Sequence, residues 1–280
     1  MIDFHVHLFP DKLFDAIWSY FASVYGWEVL YRYYAQECIS YLHQQGVSHI
    51  VYSNYAHRKG VARGLNRWSR ELLDKTPHLY CFAAFHPDDD DAISIAEEIV
   101  DHPKVLGFKL QLLVQNFYPH DERLFPLYEL VMDRGKRILF HAGTGPVGNP
   151  FVGYEHFIQV MKRYPDLHAN VAHMGGFEYK PFIDLLEVYE NLYLDTSFSF
   201  FKSPPLRFDL DPSYLERHQE KLVYGSDFPN LILPREEEIE VLKAYRLSDE
   251  FYQRVFHDNG IRLLQQHSDD PALTDTDSSI

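Results

Sequence analysis

Residues 122–141 read ERLFPLYELVMDRGKRILFH, and this stretch holds one full unit of the pattern that decides the fold. Leu124, Leu127, Tyr128 and Val131 recur at helical spacing, so Glu122–Arg134 presents one apolar face. Gly135 follows as a helix-terminating glycine does. The chain then enters Arg137–His141, a short apolar run of strand length that closes on a histidine.

The same unit recurs on both sides. Strand-like runs fall at Ile2–Val6, His49–Ser53, Leu79–Ala84, Val105–Leu110, Leu167–Ala172, Leu192–Asp195 and Lys221–Tyr224, eight with Arg137–His141. Helical segments lie between them at Arg58–Leu73, Asp91–Asp101, Glu155–Arg163 and Lys180–Tyr189. Strands that alternate with helices imply a parallel sheet, because parallel neighbours need crossovers. Eight such strands close a barrel. An open doubly wound sheet is the competing architecture, but no glycine-rich phosphate loop follows the first strand. The expectation is an α/β fold, a distorted (β/α)8 barrel in a single domain over 1–267. One long connection, between strands one and two, carries Trp18, Tyr20, Phe21, Tyr25, Trp27, Tyr31, Tyr33 and Tyr34. It reads as ordinary helical packing or as a lid over the barrel mouth, and one segment can do both. Residues 268–280 are acidic and poor in apolar side chains, which predicts a disordered tail.

Composition narrows the function. The 280 residues include 26 basic and 41 acidic side chains, a net charge of −15. Nucleic acid and anionic membrane surfaces both call for clustered Lys and Arg, so neither is an expected partner. No run reaches the ~18 apolar residues of a membrane span, and the first residues do not read as a secretory signal. Cys38 and Cys81 are too few for a disulfide framework, which suggests a cytoplasmic setting. A small-molecule substrate remains, with homo-oligomerisation open.

The sixteen histidines acquire meaning by position. His5 and His7 stand two apart at the end of strand one, on one face, which in a barrel is the interior at the mouth. Two imidazoles buried together are costly unless they share a cation. His141 closes strand five, His173 strand six, and Asp227 follows strand eight in Gly225-Ser226-Asp227-Phe228-Pro229. Four imidazoles and a carboxylate reach one mouth, and three imidazoles with the carboxylate around an ion suit Zn²⁺, with Mn, Fe or Ni as alternatives. Tyr55, His57 and Arg58 after strand two, His86 after strand three, and Gln111 and Gln115 after strand four are candidate substrate contacts. His49 begins its strand, at the wrong end for chemistry. Lys109 closes strand four, and an acid such as Asp195 is its candidate structural partner.

These stretches, with Gly107-Phe108-Lys109-Leu110, Ala172-His173-Met174-Gly175-Gly176, Leu194-Asp195-Thr196-Ser197 and Asn259-Gly260-Ile261-Arg262-Leu263-Leu264, resemble the amidohydrolase superfamily. The likeness is to its amidohydrolase-related branch, family 2, and spans residues 1 to about 266 in order. It implies a barrel with one or two divalent metals at the mouth. By that resemblance His5, His7, His141 and Asp227 hold one metal, and Asp227 and His173 serve as proton-transfer groups. A second metal would add His173 and a carboxylated Lys109; otherwise Lys109 binds a substrate carboxylate or pairs with an acid. The implied activity is metal-dependent hydrolysis of an ester, lactone or amide. Non-oxidative decarboxylation of an aromatic or muconate-type acid, or metal-free lactone hydrolysis through Asp227, are the enzymatic alternatives, and a non-catalytic binding protein is the remaining one.

Overall fold

The computed structural model describes residues 1–202, 206–270 and 273. Eight strands, β1 (Ile2–His7), β2 (His49–Ser53), β3 (Leu79–Ala84), β4 (Val105–Leu110), β5 (Arg137–Phe140), β6 (Ala169–Val171), β7 (Leu192–Asp195) and β8 (Leu222–Val223), pair in sequence order. All seven of these pairings are parallel. The segment beyond β8 closes the ring on β1. Phe4 N–H donates to Tyr224 O (2.8 Å), Asp227 N–H to His5 O (2.7 Å) and His7 N–H to Phe228 O (2.7 Å). The expected eight-stranded barrel is therefore present, with helices interleaved.

Two bulges reset which face of a strand looks inward. In β1 the register slips by one residue between Asp3 and Val6 against β2. In β4, Cys81 pairs with Val105 but Phe82 with Gly107, so Leu106 is the extra residue. A bulge re-aims the side chains beyond it. Below the bulges, Ile2, Phe4 and Leu106 join Val51, Phe82 and Leu139 in an apolar plug. Leu263 and Leu264 of the helix Asn259–His267 seal that plug from beneath. Above the bulges, His5, His7 and Lys109 point into the barrel instead, while Val6, Phe108 and Leu110 belong to the larger core under the helices. A barrel is a filled core rather than a pore, and here the filling changes from apolar to polar along its axis.

The elements differ from expectation mainly at their ends. β5, β6 and β8 stop short, so His141, His173 and Asp227 sit in the turns just beyond them. After β6 the cause is local backbone, since His173 (φ 57°) and Met174 (φ 51°) adopt left-handed conformations that no strand continues, and Asp227 (φ 61°) does the same in the turn beyond β8. The helix expected from Arg58 begins at Ala62, because 57–61 make a turn with Gly60 at φ 84°. The segment Glu122–Arg134 splits into a 3₁₀ turn and the helix Phe125–Asp133, with Pro126 in its first turn and Gly135 at φ 59° after it. Lys180–Tyr189 likewise becomes Tyr179–Asp184 followed by a 3₁₀ turn.

Of the expected tail, residues 271, 272 and 274–280 lie outside the described residues. Ser268 donates to Pro103 O (2.6 Å), Tyr80 donates to Asp270 (3.1 Å), and Leu273 is buried in the plug.

Candidate active site

The mouth of the barrel collects the chemistry. His5 and His7 project from the end of β1 with ring centroids 5.1 Å apart. Asp227 reaches them from the turn after β8: its Oδ1 lies 3.2 Å from His5 Nε2 and 3.0 Å from His7 Nε2. His173 stacks on His5 at 5.2 Å, and its Nε2 stands 3.2 Å from His141 Nδ1. Lys109 Nζ, fully buried, sits 3.5 Å from His5 Nε2.

The outer contacts fix how the imidazoles are presented. His5 Nδ1 lies 2.8 Å from Asp195 Oδ2, so the carboxylate holds a proton there and turns the Nε2 lone pair toward the centre. His7 Nδ1 faces Ser53 O at 3.2 Å, with the same result. His173 Nδ1 contacts Ser197 Oγ (2.8 Å) and O (3.2 Å), and the backbone N–H of His173 donates to Asp195 Oδ1 (3.0 Å). Two Nε2 lone pairs therefore converge on one carboxylate oxygen. That oxygen is buried and lacks a hydrogen bond of acceptable geometry. Three acceptors facing one another repel unless a cation lies among them, so the donor set fits a divalent metal. His5, His7 and Asp227 have ligand atoms all within 4.8 Å of one another, as do His5, His173 and Asp195. His141 stands apart from both groups and meets His173.

The electrostatics agree with a cation-seeking site. Burial raises the cost of the Asp227 charge, but His7 and His5 outweigh it and hold the carboxyl well below the usual carboxylate range. Asp195 is likewise held at about 2 against its burial, chiefly by His5. Burial pushes His173 down to about 4 and lowers His5 and His141, so these rings are neutral ligands or bases near neutral pH. Burial also brings Lys109 down to about 8, against the pull of Asp195 and Asp227.

A cavity of about 470 Å³ opens above this cluster. His7, His141, His173 and Asp227 line it, as do Tyr55, His57 and Gln111 among the expected substrate contacts. His86 does not line it; its Nδ1 accepts from Asp88 N–H (3.2 Å) and its ring edges Phe117. Gln115 is engaged in the wall, with its amide donating to Ala56 O and Phe85 O and its oxygen accepting from Gln111 N–H. Arg58 is exposed. Asp195 pulls on the Lys109 charge without a direct ion pair to it; its two oxygens serve His5, Ser197 and the His173 amide. Sequence reasoning quoted Ser197 beside Asp195 but gave it no role; its backbone N–H and its hydroxyl both donate to Asp195 Oδ1 from the turn beyond β7.

The connection between β1 and β2 both packs and covers. Its helix Asp11–Tyr20 buries Phe14 and Trp18, stacked at 5.2 Å, while Leu13, Ile17 and Tyr20 on the adjoining stripe line the cavity. Spacings of three and four residues put each set on one side.

The model of the amidohydrolase family matches residues 2–266. Among solved structures, an amidohydrolase II is 21% identical over 94% of this chain and 99% of that one, with a TM-score of 0.71. A probable 2-pyrone-4,6-dicarboxylic acid hydrolase from Acinetobacter baumannii, with citric acid bound, is 16% identical over 94% and 98% (TM-score 0.61). The 5-carboxyvanillate decarboxylase of Novosphingobium aromaticivorans, complexed with manganese and 4-hydroxy-3-methoxy-5-nitrobenzoic acid, is 12% identical over 95% and 96% (TM-score 0.67). At these identities the likeness is one of fold. No protein of curated function matches the sequence significantly.

Proposed function

This chain belongs to the amidohydrolase family, and on that premise we propose that it is a metal-dependent hydrolase of a small-molecule ester, lactone or amide. The observation that carries the reading is the convergence of His5 and His7 Nε2 on the orphaned Oδ1 of Asp227 at the base of the cavity. His5, His7 and Asp227, with His141, would hold one divalent ion. Zinc is our choice for it, and the His/Asp donors also accept Mn, Fe or Ni. When bound, the metal supplies Lewis acidity and lowers the pKa of water toward ~7.

The chain's own groups then divide the work. Asp227, ionised at neutral pH, accepts a proton at its carboxylate. His173 carries a proton on Nδ1 toward Ser197 and offers Nε2 as acceptor, so the proton that Asp227 takes from the attacking water would pass through Nε2 to the leaving group, returning both residues to their starting state. Lys109 does not line the cavity; it lies beneath the cluster, 3.5 Å from His5 Nε2, and is assigned to the reacting end of the substrate alone, where its buried ammonium would stabilise negative charge that develops beside His5. A carboxylated Lys109 bridging to a second ion is the competing assignment; a metal content near two per chain would favour it, and one near unity excludes it.

Decarboxylation of an aromatic acid is the second reading, favoured by the aromatic wall of the cavity together with the Lys109 ammonium. We place the protein in the cytoplasm, which suits two free, buried cysteines.

The test is metal analysis on protein purified without chelator, followed by a lactone and ester panel beside CO₂ detection over an aromatic-acid panel. Hydrolysis lost on chelation and regained with zinc is expected. CO₂ release without hydrolysis would replace this reading by the second, and full activity without metal would overturn both.

A further inference from the structure

The cavity wall is chemically lopsided. Its carboxylate and its imidazoles come from the strand ends and the turns after them, and among the described residues no lysine or arginine side chain lines it. The far side belongs to the β1–β2 connection. There Phe21, Tyr25 and Trp27, all half-buried, pack on one another with centroids 5.2 to 6.1 Å apart and face the cavity. Val114 and Phe177 add apolar lining from the segments after β4 and β6, and Phe198 edges His173 at 5.9 Å. The volume is about three times the ~150 Å³ of a cavity that takes up benzene. A group in this space gains by shedding water from apolar surface. A charged group set against the Phe21, Tyr25 and Trp27 side would lose hydration and meet no counter-charge there.

Resting on the catalytic reading above, we infer that the substrate carries its single polar, reacting carbonyl or carboxyl at the histidine cluster and an uncharged aromatic-sized or branched apolar body against the wall of Phe21, Tyr25 and Trp27. Substrates with a second carboxylate at the far end are excluded by the same wall. Specificity then lies in the β1–β2 connection and not in the strand ends. A planar acid or ester of two rings fills the space, whereas a one-ring compound leaves the aromatic wall wet.

Isothermal titration of the protein as purified, with its metal, tests this with benzoate, biphenyl-4-carboxylate and biphenyl-4,4′-dicarboxylate. The expected order is biphenyl-4-carboxylate about 30-fold tighter than benzoate, and the dicarboxylate at least about tenfold weaker than the monocarboxylate. Trp27→Ala should cost biphenyl-4-carboxylate about tenfold and benzoate much less. Val114→Arg supplies the missing cation and should narrow or reverse the gap between mono- and dicarboxylate, which keeps the test sharp should Trp27→Ala fail to fold. Equal or tighter binding of the dicarboxylate by the unaltered protein, or biphenyl-4-carboxylate binding no better than benzoate, overturns the inference. Because binding is read without turnover, the order can hold where no lactone is hydrolysed, and it can fail in a protein that hydrolyses lactones. The inference and the catalytic reading therefore fall separately.

Discussion

His5 Nδ1 and Asp195 Oδ2 stand 2.8 Å apart with both side chains buried, joining the end of β1 to the end of β7 across the β8 segment that lies between them. The carboxylate decides which nitrogen of His5 keeps its proton, and so which lone pair faces Asp227. Asparagine has the same shape but can donate as well as accept, and carries no charge. Asp195→Asn should therefore lower metal affinity by about 10–100-fold without unfolding the barrel. Competition against a calibrated chelator, with circular dichroism as the control, measures it. Affinity within about twofold of the unaltered protein would show that Asp195 does not orient the ligand.

Metal removal should be visible in stability as well as in catalysis. Asp227 Oδ1 lies 3.0 Å from His7 Nε2 and 3.2 Å from His5 Nε2, so three acceptors meet at one point that a bound cation would stabilise. An ion that binds only the folded state adds about 2.7 kcal/mol at a hundredfold excess over Kd. Dialysis against chelator should lower the melting midpoint by about 5 °C or more, and zinc should restore it. In His5→Ala the chelated and zinc-loaded midpoints should coincide. A His5→Ala protein still stabilised by zinc would place the ion elsewhere.

The strand-end positions of His5, His7, His141, His173 and Asp227 were legible because each follows an apolar run and precedes a glycine, a proline or a second histidine. That grammar is local. The inward aim of Lys109 was legible only in outcome. Leu106, Phe108 and Lys109 cannot all be read by simple alternation, because Leu106 is an extra residue relative to β3, and register is a property of two strands rather than one. The same limit explains Asp195. Its sequence neighbours do not say whether Lys109 or His5 will lie across from it, and the bulge in β1 is what brings His5 into range. The cavity face of the Asp11–Tyr20 helix was hidden for a different reason, since both its stripes are apolar and hydrophobicity alone does not distinguish core from cavity.

Gly107 is where the bulge in β4 is tested. Its φ is 148°, and a Cβ there would lie 1.7 Å from Arg137 O on the neighbouring strand. No side chain can occupy that space without pushing β4 off β5. Gly107→Ala should lose well over 3 kcal/mol of stability or fail to fold. Gly64→Ala is the contrast, since a Cβ at Gly64 on the exposed side of a helix meets nothing within 4 Å and should be neutral or stabilising. Urea midpoints for the two variants give the comparison. Equal stability in the pair would mean that the β4 bulge is not required.

The underside of the barrel predicts an acid sensitivity unconnected with the site. His267 is buried beneath the strands, its Nδ1 donating to Gly135 O (2.7 Å) and its Nε2 3.1 Å from Arg137 Nη1, whose guanidinium needs an acceptor. Burial, then the charge of Arg137, brings its pKa from 6.5 down to about 3. The folded state therefore holds His267 neutral across a range in which the unfolded chain protonates it. Its contribution is whole above pH 6.5 and is lost progressively as the pH falls toward 3. Between pH 7 and pH 5 the loss should be about 2 kcal/mol. His267→Gln keeps a donor and an acceptor but cannot titrate. It should be less stable at pH 7.5 by about 1–2 kcal/mol, from imperfect hydrogen bonds, yet show a flatter decline into acid. Urea unfolding at four pH values between 7.5 and 5 for both proteins isolates the difference. An unchanged slope in His267→Gln would mean that His267 is protonated in the fold and that Arg137 finds its acceptor elsewhere.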